Sequence, residues 1–257
     1  MMAPGTAVPS GRDTRALGIL AALPEEIAGL VEQLSAPRVA RWGQRDFHGG
    51  LLHGRPCVVA LSRIGKVAAA ASAATLIHRF DVSAIVFSGV AGGIAPGVRV
   101  GDVVVADTLL QHDLDASPLF PRFEVPLLGR ARFDTDPALS GRLARAADGF
   151  LPHAPMREDG APPRLHRGMI ASGDRFVSGD AGRAALRGAL PGLLAVDMES
   201  AAVAQVCHEH DVPFAVVRTI SDAADDHAAV SFARFLTERA APYAQAIFGA
   251  FLASSSV

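Results

Sequence analysis

The stretch Leu193-Leu-Ala-Val-Asp-Met-Glu-Ser-Ala-Ala-Val-Ala-Gln-Val-Cys-His208, followed after a short polar gap by Val212-Pro-Phe-Ala-Val-Val-Arg-Thr-Ile-Ser-Asp222, decides the fold class. Leu193 to Val196 is a short apolar run of the kind a buried strand needs. Met198, Ala201, Ala202 and Val206 then recur at helical spacing. Pro213 opens a second apolar run, Phe214 to Val217, which continues through Arg218, Thr219, Ile220 and Ser221 to Asp222. The pattern predicts strand, helix, strand. Glu199 then stands just past the end of one strand and Asp222 just past the end of the next. In a parallel sheet both face the edge where α/β proteins bind ligands. A plainer account competes with a functional one: Asp197 and Glu199 favour a helix N-terminus, and Asp222 caps whatever follows.

Working outward, 257 residues suit one large α/β domain, and an apolar fraction of 50% is enough to bury a sizeable core. The net charge of -2 gives no reason to expect nucleic acid or an anionic membrane as partner. Cys57 and Cys207 both lie in apolar stretches, which suits buried thiols in a reducing cytosol better than a disulfide. No apolar run reaches membrane-spanning length. Residues 1–15 lack the apolar core of a signal peptide and are expected to be a disordered lead-in to a single domain over 16–257.

Within that domain, Ala16 to Ala22 predicts a first strand. Pro24 suits the first turn of the helix that follows, with Glu25 and Glu26 at its N-terminus. Arg41 to Leu52 reads as a hairpin that turns at His53-Gly54, and Cys57 to Leu61 as the next strand, leading through Ser62-Arg-Ile-Gly-Lys66 into an Ala-rich helix over 67–79. Ala84 to Phe87 is a short buried strand followed by Ser88-Gly-Val-Ala-Gly-Gly93. That spacing matches neither a Walker loop nor a dinucleotide fingerprint and on its own favours a tight turn. Val103 to Val105 is strand-like. His112-Asp-Leu-Asp115 has a spacing compatible with metal ligands, but no second cluster supports one, and no metal or cofactor is expected. A helix is predicted over Pro137 to Ala147, a surface loop over 151–165, a strand over Arg167 to Ala171 ending in Ser172-Gly-Asp-Arg-Phe-Val177, and a C-terminal amphipathic helix from Ser231 to about Leu252.

The residues at predicted strand ends are dominated by carboxylates, with one arginine and one aromatic: Glu26, Ser62 to Lys66, Gly89 to Gly93, Phe176, Val177, Met198, Glu199 and Arg218 to Asp222. No nucleophile elbow is present, and neither cysteine has a convincing base partner. Paired carboxylates suit acid–base work on a glycosidic bond, one protonating the leaving group while another activates water.

From about residue 16 to 250 the chain resembles the bacterial 5'-methylthioadenosine/S-adenosylhomocysteine nucleosidases of the nucleoside phosphorylase superfamily. The resemblance rests on Ala22-Leu-Pro-Glu-Glu-Ile27, Ile64-Gly-Lys-Val-Ala-Ala-Ala70, Gly89-Val-Ala-Gly-Gly93, Val100-Gly-Asp-Val-Val104, Ser172-Gly-Asp-Arg-Phe176, Val196-Asp-Met-Glu199 and Val217-Arg-Thr-Ile-Ser-Asp222, in that order. It implies a single three-layer α/β domain, with a central mixed, largely parallel sheet flanked by helices. It also implies hydrolysis of the N-glycosidic bond of a 5'-modified adenosine, releasing adenine for methionine salvage. A cytoplasmic homodimer that takes a small-molecule nucleoside, and neither nucleic acid nor membrane, goes with it.

By the same resemblance, Asp222 is the general acid toward adenine N7, oriented by Ser221. Glu26 activates the attacking water with Arg218 nearby. Glu199 accepts from the ribose hydroxyls and Met198 packs on the sugar. Phe176 stacks on the purine, whose edge the Val177 backbone reads. Leu23, Ile64 and Phe232 fall where the family lines an apolar pocket for the 5'-alkylthio group, and Val90, Ala91 and Gly92 belong to the binding set. Glu25 and Glu26 occupy the region where phosphorylases of the superfamily hold phosphate with an arginine, and would repel it. Val90 stands where many relatives carry Ser or Thr, and Arg63, where many carry Gly, brings a positive charge that either pairs with a carboxylate or binds an anion. Leu119, Phe120 and Phe123 lie in the segment that in relatives helps cover the partner subunit's pocket. Two rival functions share the fold: a phosphate-dependent nucleoside phosphorylase and a catalytically silent nucleoside-binding protein.

Overall fold

The computed structural model describes residues 15–254; the lead-in expected at residues 1–15 lies, apart from Arg15, outside them. In chain order the elements are β1 (Leu17–Ala21), α1 (Pro24–Glu32), β2 (Ser35–Trp42), β3 (Arg45–Leu52), β4 (Arg55–Leu61), α2 (Lys66–Phe80), β5 (Ala84–Gly93), β6 (Val103–Gln111), β7 (Phe133–Asp134), α3 (Pro137–Phe150), β8 (Leu165–Ser172), α4 (Asp180–Ala189), β9 (Leu193–Asp197), α5 (Ser200–Glu209), β10 (Phe214–Asp222), α6 (Ala228–Phe235) and α7 (Ala241–Ala253). The described strands join one mixed sheet, parallel along β4–β1–β5–β10 and β6–β8–β9. The β10–β6, β5–β9 and hairpin pairings are antiparallel. Because β10 pairs with both β5 and β6 while β9 pairs with β5, the strands β5–β10–β6–β8–β9 close into a ring.

Alternation along the strands builds the layers. In β5, Ala84 and Val86 face one core while Ile85 and Phe87 face the other; in β10, Ala215 and Val217 oppose Phe214 and Val216. The first core packs under α1, α3 and α7 through Leu30, Leu143 and Phe248. The second packs under α2 and α5 through Leu76 and Val203. Each such fully buried side chain contributes roughly 1.5–3 kcal/mol of transfer free energy. A third cluster joins β8 and β9 to Leu186 and Leu190.

Several expectations change. The expected hairpin at 41–52 is part of a three-stranded meander over 35–61. Its first turn, Gly43-Gln44, has positive φ at both residues, as does the turn at His53-Gly54. β6 runs on to Gln111. The segment 89–93 is the end of β5 rather than a tight turn. The loop over 151–165 is not simply surface: Arg157 and Pro163 are buried, and Arg157 Nη1 donates to the fully buried Asp102 at 3.2 Å. The C-terminal helix is split by a π turn at Leu236–Ala240, just before Pro242, which has no N–H to offer a regular ladder.

The opening stretch folds as strand, helix, strand, but α5 begins at Ser200, not Met198. Its two strands are not parallel neighbours either. β5 lies between them, and Gly92 pairs with Val196 on one side and Asp222 on the other. Glu199 and Asp222 therefore meet through ring closure rather than along a common parallel edge.

Candidate active site

A cavity of about 310 Å³, within the range of small-ligand sites, opens where these strand ends converge. The β1–α1 turn contributes Ala22 and Leu23, and the first turn of α1 Glu26; the β4–α2 turn, Ile64; β5, Val90, Ala91 and Gly92. The loop after β8 supplies Arg175, Phe176 and Val177, and the end of β9 supplies Val196, Asp197, Met198 and Glu199. Ser221 and Asp222 close it from β10, and Phe232 reaches it from α6. Phe176 and Phe232 face each other edge to face, ring centres 5.7 Å apart.

Each carboxylate in the cavity is held by backbone amides. Glu26 is in the first turn of α1, where a carboxylate complements the helix end. Its Oε2 accepts from Ala22 N (2.8 Å) and Leu23 N (2.9 Å), and its Oε1 from Val90 N (3.0 Å). The capping reading and the functional one therefore describe the same geometry. Glu199 Oε1 accepts from Gly65 N at 2.9 Å and Oε2 from Met198 N at 3.3 Å. Asp222 Oδ1 accepts from Ala224 N at 2.9 Å, and Oδ2 from Ser221 Oγ at 2.8 Å. The glycines of β5 make room for them. A Cβ at Gly89 would lie 2.4 Å from Arg218 Nη1 and 2.8 Å from Glu26 Oε1, and one at Gly92 would lie 2.9 Å from Asp222 Oδ1.

Arg218 does not reach the cavity surface. It is 1% exposed and lies one layer behind, its guanidinium 4.1 Å over the Phe87 ring. Its Nε donates to Asp197 Oδ2 at 2.8 Å and its Nη2 to Ser200 Oγ at 2.8 Å. Asp197 also accepts from Ser172 Oγ (2.5 Å), from Ser200 Oγ and from the amides of Glu199 and Ser200. Arg63 is also absent from the cavity: it turns outward and donates to the Gln44 carbonyl at 2.6 Å. Four lining residues, Ala22, Arg175, Val196 and Asp197, carry no site role in the sequence reading, although each lies inside one of the motifs behind the resemblance.

The electrostatics follow from burial. Desolvation raises the pKa of Glu26, against the opposing pull of Arg218 and three amides. Desolvation and then the neighbouring Asp197 push Glu199 up to about 7. Desolvation raises Asp222, with Asp225 adding to it. Asp197 goes the other way: burial opposes its charge, but Arg218, Ser172 and Ser200 hold it below the usual range.

Glu199 makes a stability prediction. Between its ordinary 4.5 and about 7 the folded state keeps a proton that the unfolded chain has released, so stability falls as pH rises through that window. Glu199→Gln removes this decline. Urea melts from pH 4.5 to 7.5 are expected to show the variant gaining on the parent by on the order of 3 kcal/mol; parallel curves would refute it.

The phosphorylase superfamily model matches residues 16–253. Fold and carboxylate-lined site alike thus place the chain in the phosphorylase superfamily. Within it, the chain is 36% identical over 225 residues to 5'-methylthioadenosine/S-adenosylhomocysteine nucleosidase of Anoxybacillus flavithermus, an alignment covering 87% of this chain and 92% of that one. The Neisseria meningitidis nucleosidase of the same name, solved with methylthio-immucillin-A, superposes with a TM-score of 0.84 at 35% identity, covering 93% of this chain and 99% of that one. S-adenosylhomocysteine nucleosidase of Streptococcus pyogenes, solved with 5-methylthiotubericidin, gives 0.85 at 29% identity, covering 96% and 100%. The chain belongs to the 5'-methylthioadenosine/S-adenosylhomocysteine nucleosidase family.

Proposed function

We propose that the protein hydrolyses the N-glycosidic bond of 5'-methylthioadenosine, S-adenosylhomocysteine and related 5'-modified adenosines. Asp222 donates its proton to adenine N7 as the N9–C1' bond breaks, and adenine leaves with that bonding pair. Water adds to C1', and its proton passes to Glu26. Glu199 accepts from the ribose hydroxyls while Met198 packs beneath the sugar. Phe176 stacks on the purine, the Val177 backbone meets its edge, and Leu23, Ile64 and Phe232 take the 5' substituent, with Val90, Ala91 and Gly92 forming the floor. Arg218 acts from behind the wall through its charge.

One observation carries the reading: three buried carboxyls with raised pKa values converge on one cavity of nucleoside size. Water rather than phosphate is the nucleophile because the cations at the Glu26 end are already engaged. Arg218 is paired with Asp197 and Arg63 points away. Arg175, the cation on the cavity surface, comes from the loop after β8. Adenine release from methylthioadenosine is expected to proceed in phosphate-free buffer at a rate that added phosphate does not change. Strict phosphate dependence would make the protein a phosphorylase, and tight binding without release a nucleoside-binding protein.

A cytoplasmic homodimer acting in methionine salvage belongs to the same reading. Val67, Leu119 and Leu127 are each more than 80% exposed, apolar side chains of the kind that such a dimer would cover. Phe123 packs in part against its own chain's third cluster. Among the described residues no helix is long and apolar enough to cross a membrane, and no group of three or more His, Cys, Asp or Glu side chains is placed to hold a metal ion.

A further inference from the structure

Three loops meet beside the cavity without contributing a reacting group: the β4–α2 turn, the segment after β6 and the segment after β8. One ring of contacts ties them together. Lys66 Nζ donates to Asp113 Oδ1 at 2.6 Å. Asp113 Oδ2 accepts from the Asp174 amide at 2.8 Å. Asp174 Oδ1 accepts from the Lys66 amide at 2.8 Å, which closes the ring. The residue before Lys66 is Gly65, whose amide is one of the two that hold Glu199. Two residues after Asp174 comes Phe176, on the cavity wall.

We propose that Lys66, Asp113 and Asp174 are positioning residues: the ring they form fixes the Gly65 amide against Glu199 and so sets the carboxylate that takes the ribose hydroxyls. The inference rests on the ribose role of Glu199 given above.

The chemistry favours a positioning task over a merely stabilising one. The Lys66 and Asp113 side chains are 16% and 31% exposed, so water screens their attraction and the pair adds little to global stability. Its geometric effect is larger. The first two amides of the α2 end are each aimed at a carboxylate, Gly65 N at Glu199 and Lys66 N at Asp174. Swinging the turn by an ångström would break both bonds together. Asp113 supplies the only acceptors in the ring that reach both the Lys66 ammonium and the Asp174 amide. An Asn there keeps one acceptor and presents an N–H to the other donor.

The test compares methylthioadenosine with its 2'-deoxy and 3'-deoxy analogues. Asp113→Asn and Lys66→Gln are each expected to lower kcat/KM for methylthioadenosine roughly 10-fold, the size of one lost charge-assisted hydrogen bond. The deoxy analogues, each lacking a hydroxyl that Glu199 holds, should lose less, about 2-fold or under. The double variant should be no worse than either single one, and Lys66→Arg should recover most of the loss. Thermal melts confirm that each variant is folded, and Lys66→Gln serves if Asp113→Asn is not. Equal losses on all three substrates would overturn the proposal in favour of a general structural role, as would no loss on any. Should the parent enzyme turn over both deoxy analogues as well as methylthioadenosine, the ribose role of Glu199 itself fails and takes this inference with it. That outcome is read on the unmodified protein and so is distinct from the others.

Discussion

Asp222→Asn is expected to lower adenine release by about 10²- to 10⁴-fold, the usual weight of a general acid, while leaving nucleoside binding nearly intact. The reason is in the two bonds that hold the carboxyl. Ala224 N donates to Oδ1, and an asparagine oxygen accepts that bond equally well. Ser221 Oγ, which donates to Oδ2, lies 3.4 Å from the Ala91 carbonyl and can turn to it while accepting from the new amide. The variant therefore keeps its shape and its hydrogen bonds, and loses only a proton it can transfer. Burial supplies that proton in the parent by raising the Asp222 pKa, and Asp225 adds to it. Activity should accordingly fall as pH rises through the Asp222 titration. Turnover and the dissociation constant of a non-hydrolysable adenosine analogue are the two measurements. A variant that keeps its turnover within about 3-fold would mean that the leaving group draws its proton from elsewhere.

How far this chemistry is readable without coordinates differs residue by residue. The strand–helix–strand at 193–222 is legible because short apolar runs and an alanine-rich helical period are local patterns. Asp197 is not legible. Before a helix an aspartate looks like a cap, and what makes it an ion-pair partner is the arrival of Arg218 from 21 positions away and Ser172 from 25. Ring closure is hidden for the same reason, since pairing β10 with both β5 and β6 joins distant segments and leaves no periodic trace. Gly89 and Gly92 suggest a turn because glycine commonly marks one. Here they sit in a strand and answer to the bulk of Arg218, Glu26 and Asp222. Charge position is the least legible of all. Arg63 and Arg218 both lie near the site in sequence, yet one faces the Gln44 carbonyl and the other sits behind the wall. Their backbones do not foretell either outcome.

Placing Arg218 behind the wall bears on the second large effect, expected at Glu26. Glu26 and Asp222 are both buried carboxyls with raised pKa values, and hydrolysis needs them in opposite states, one ionised to take the proton of water and the other protonated to give one to adenine. Their surroundings supply the difference. Glu26 feels the Arg218 cation and accepts three amide bonds, all of which favour its anion; Asp222 accepts one amide and the Ser221 hydroxyl, a smaller pull toward its anion, and feels Asp225, which favours its acid. Glu26→Gln should thus remove the base and lower turnover by about 10²- to 10⁴-fold. It also places an amide N–H against one of the three backbone donors, since Oε2 serves Ala22 and Leu23 while Oε1 serves Val90. That mismatch costs about 1–3 kcal/mol of stability, readable in a urea melt. The pH profile separates the two roles. The parent should show a bell, rising through the Glu26 titration and falling through that of Asp222. The residual activity of Glu26→Gln should lack the rising limb, and that of Asp222→Asn the falling one. If both variants keep the same bell, neither carboxyl carries the proton assigned to it, and the electrostatic split built by Arg218 and Asp225 has no catalytic consequence.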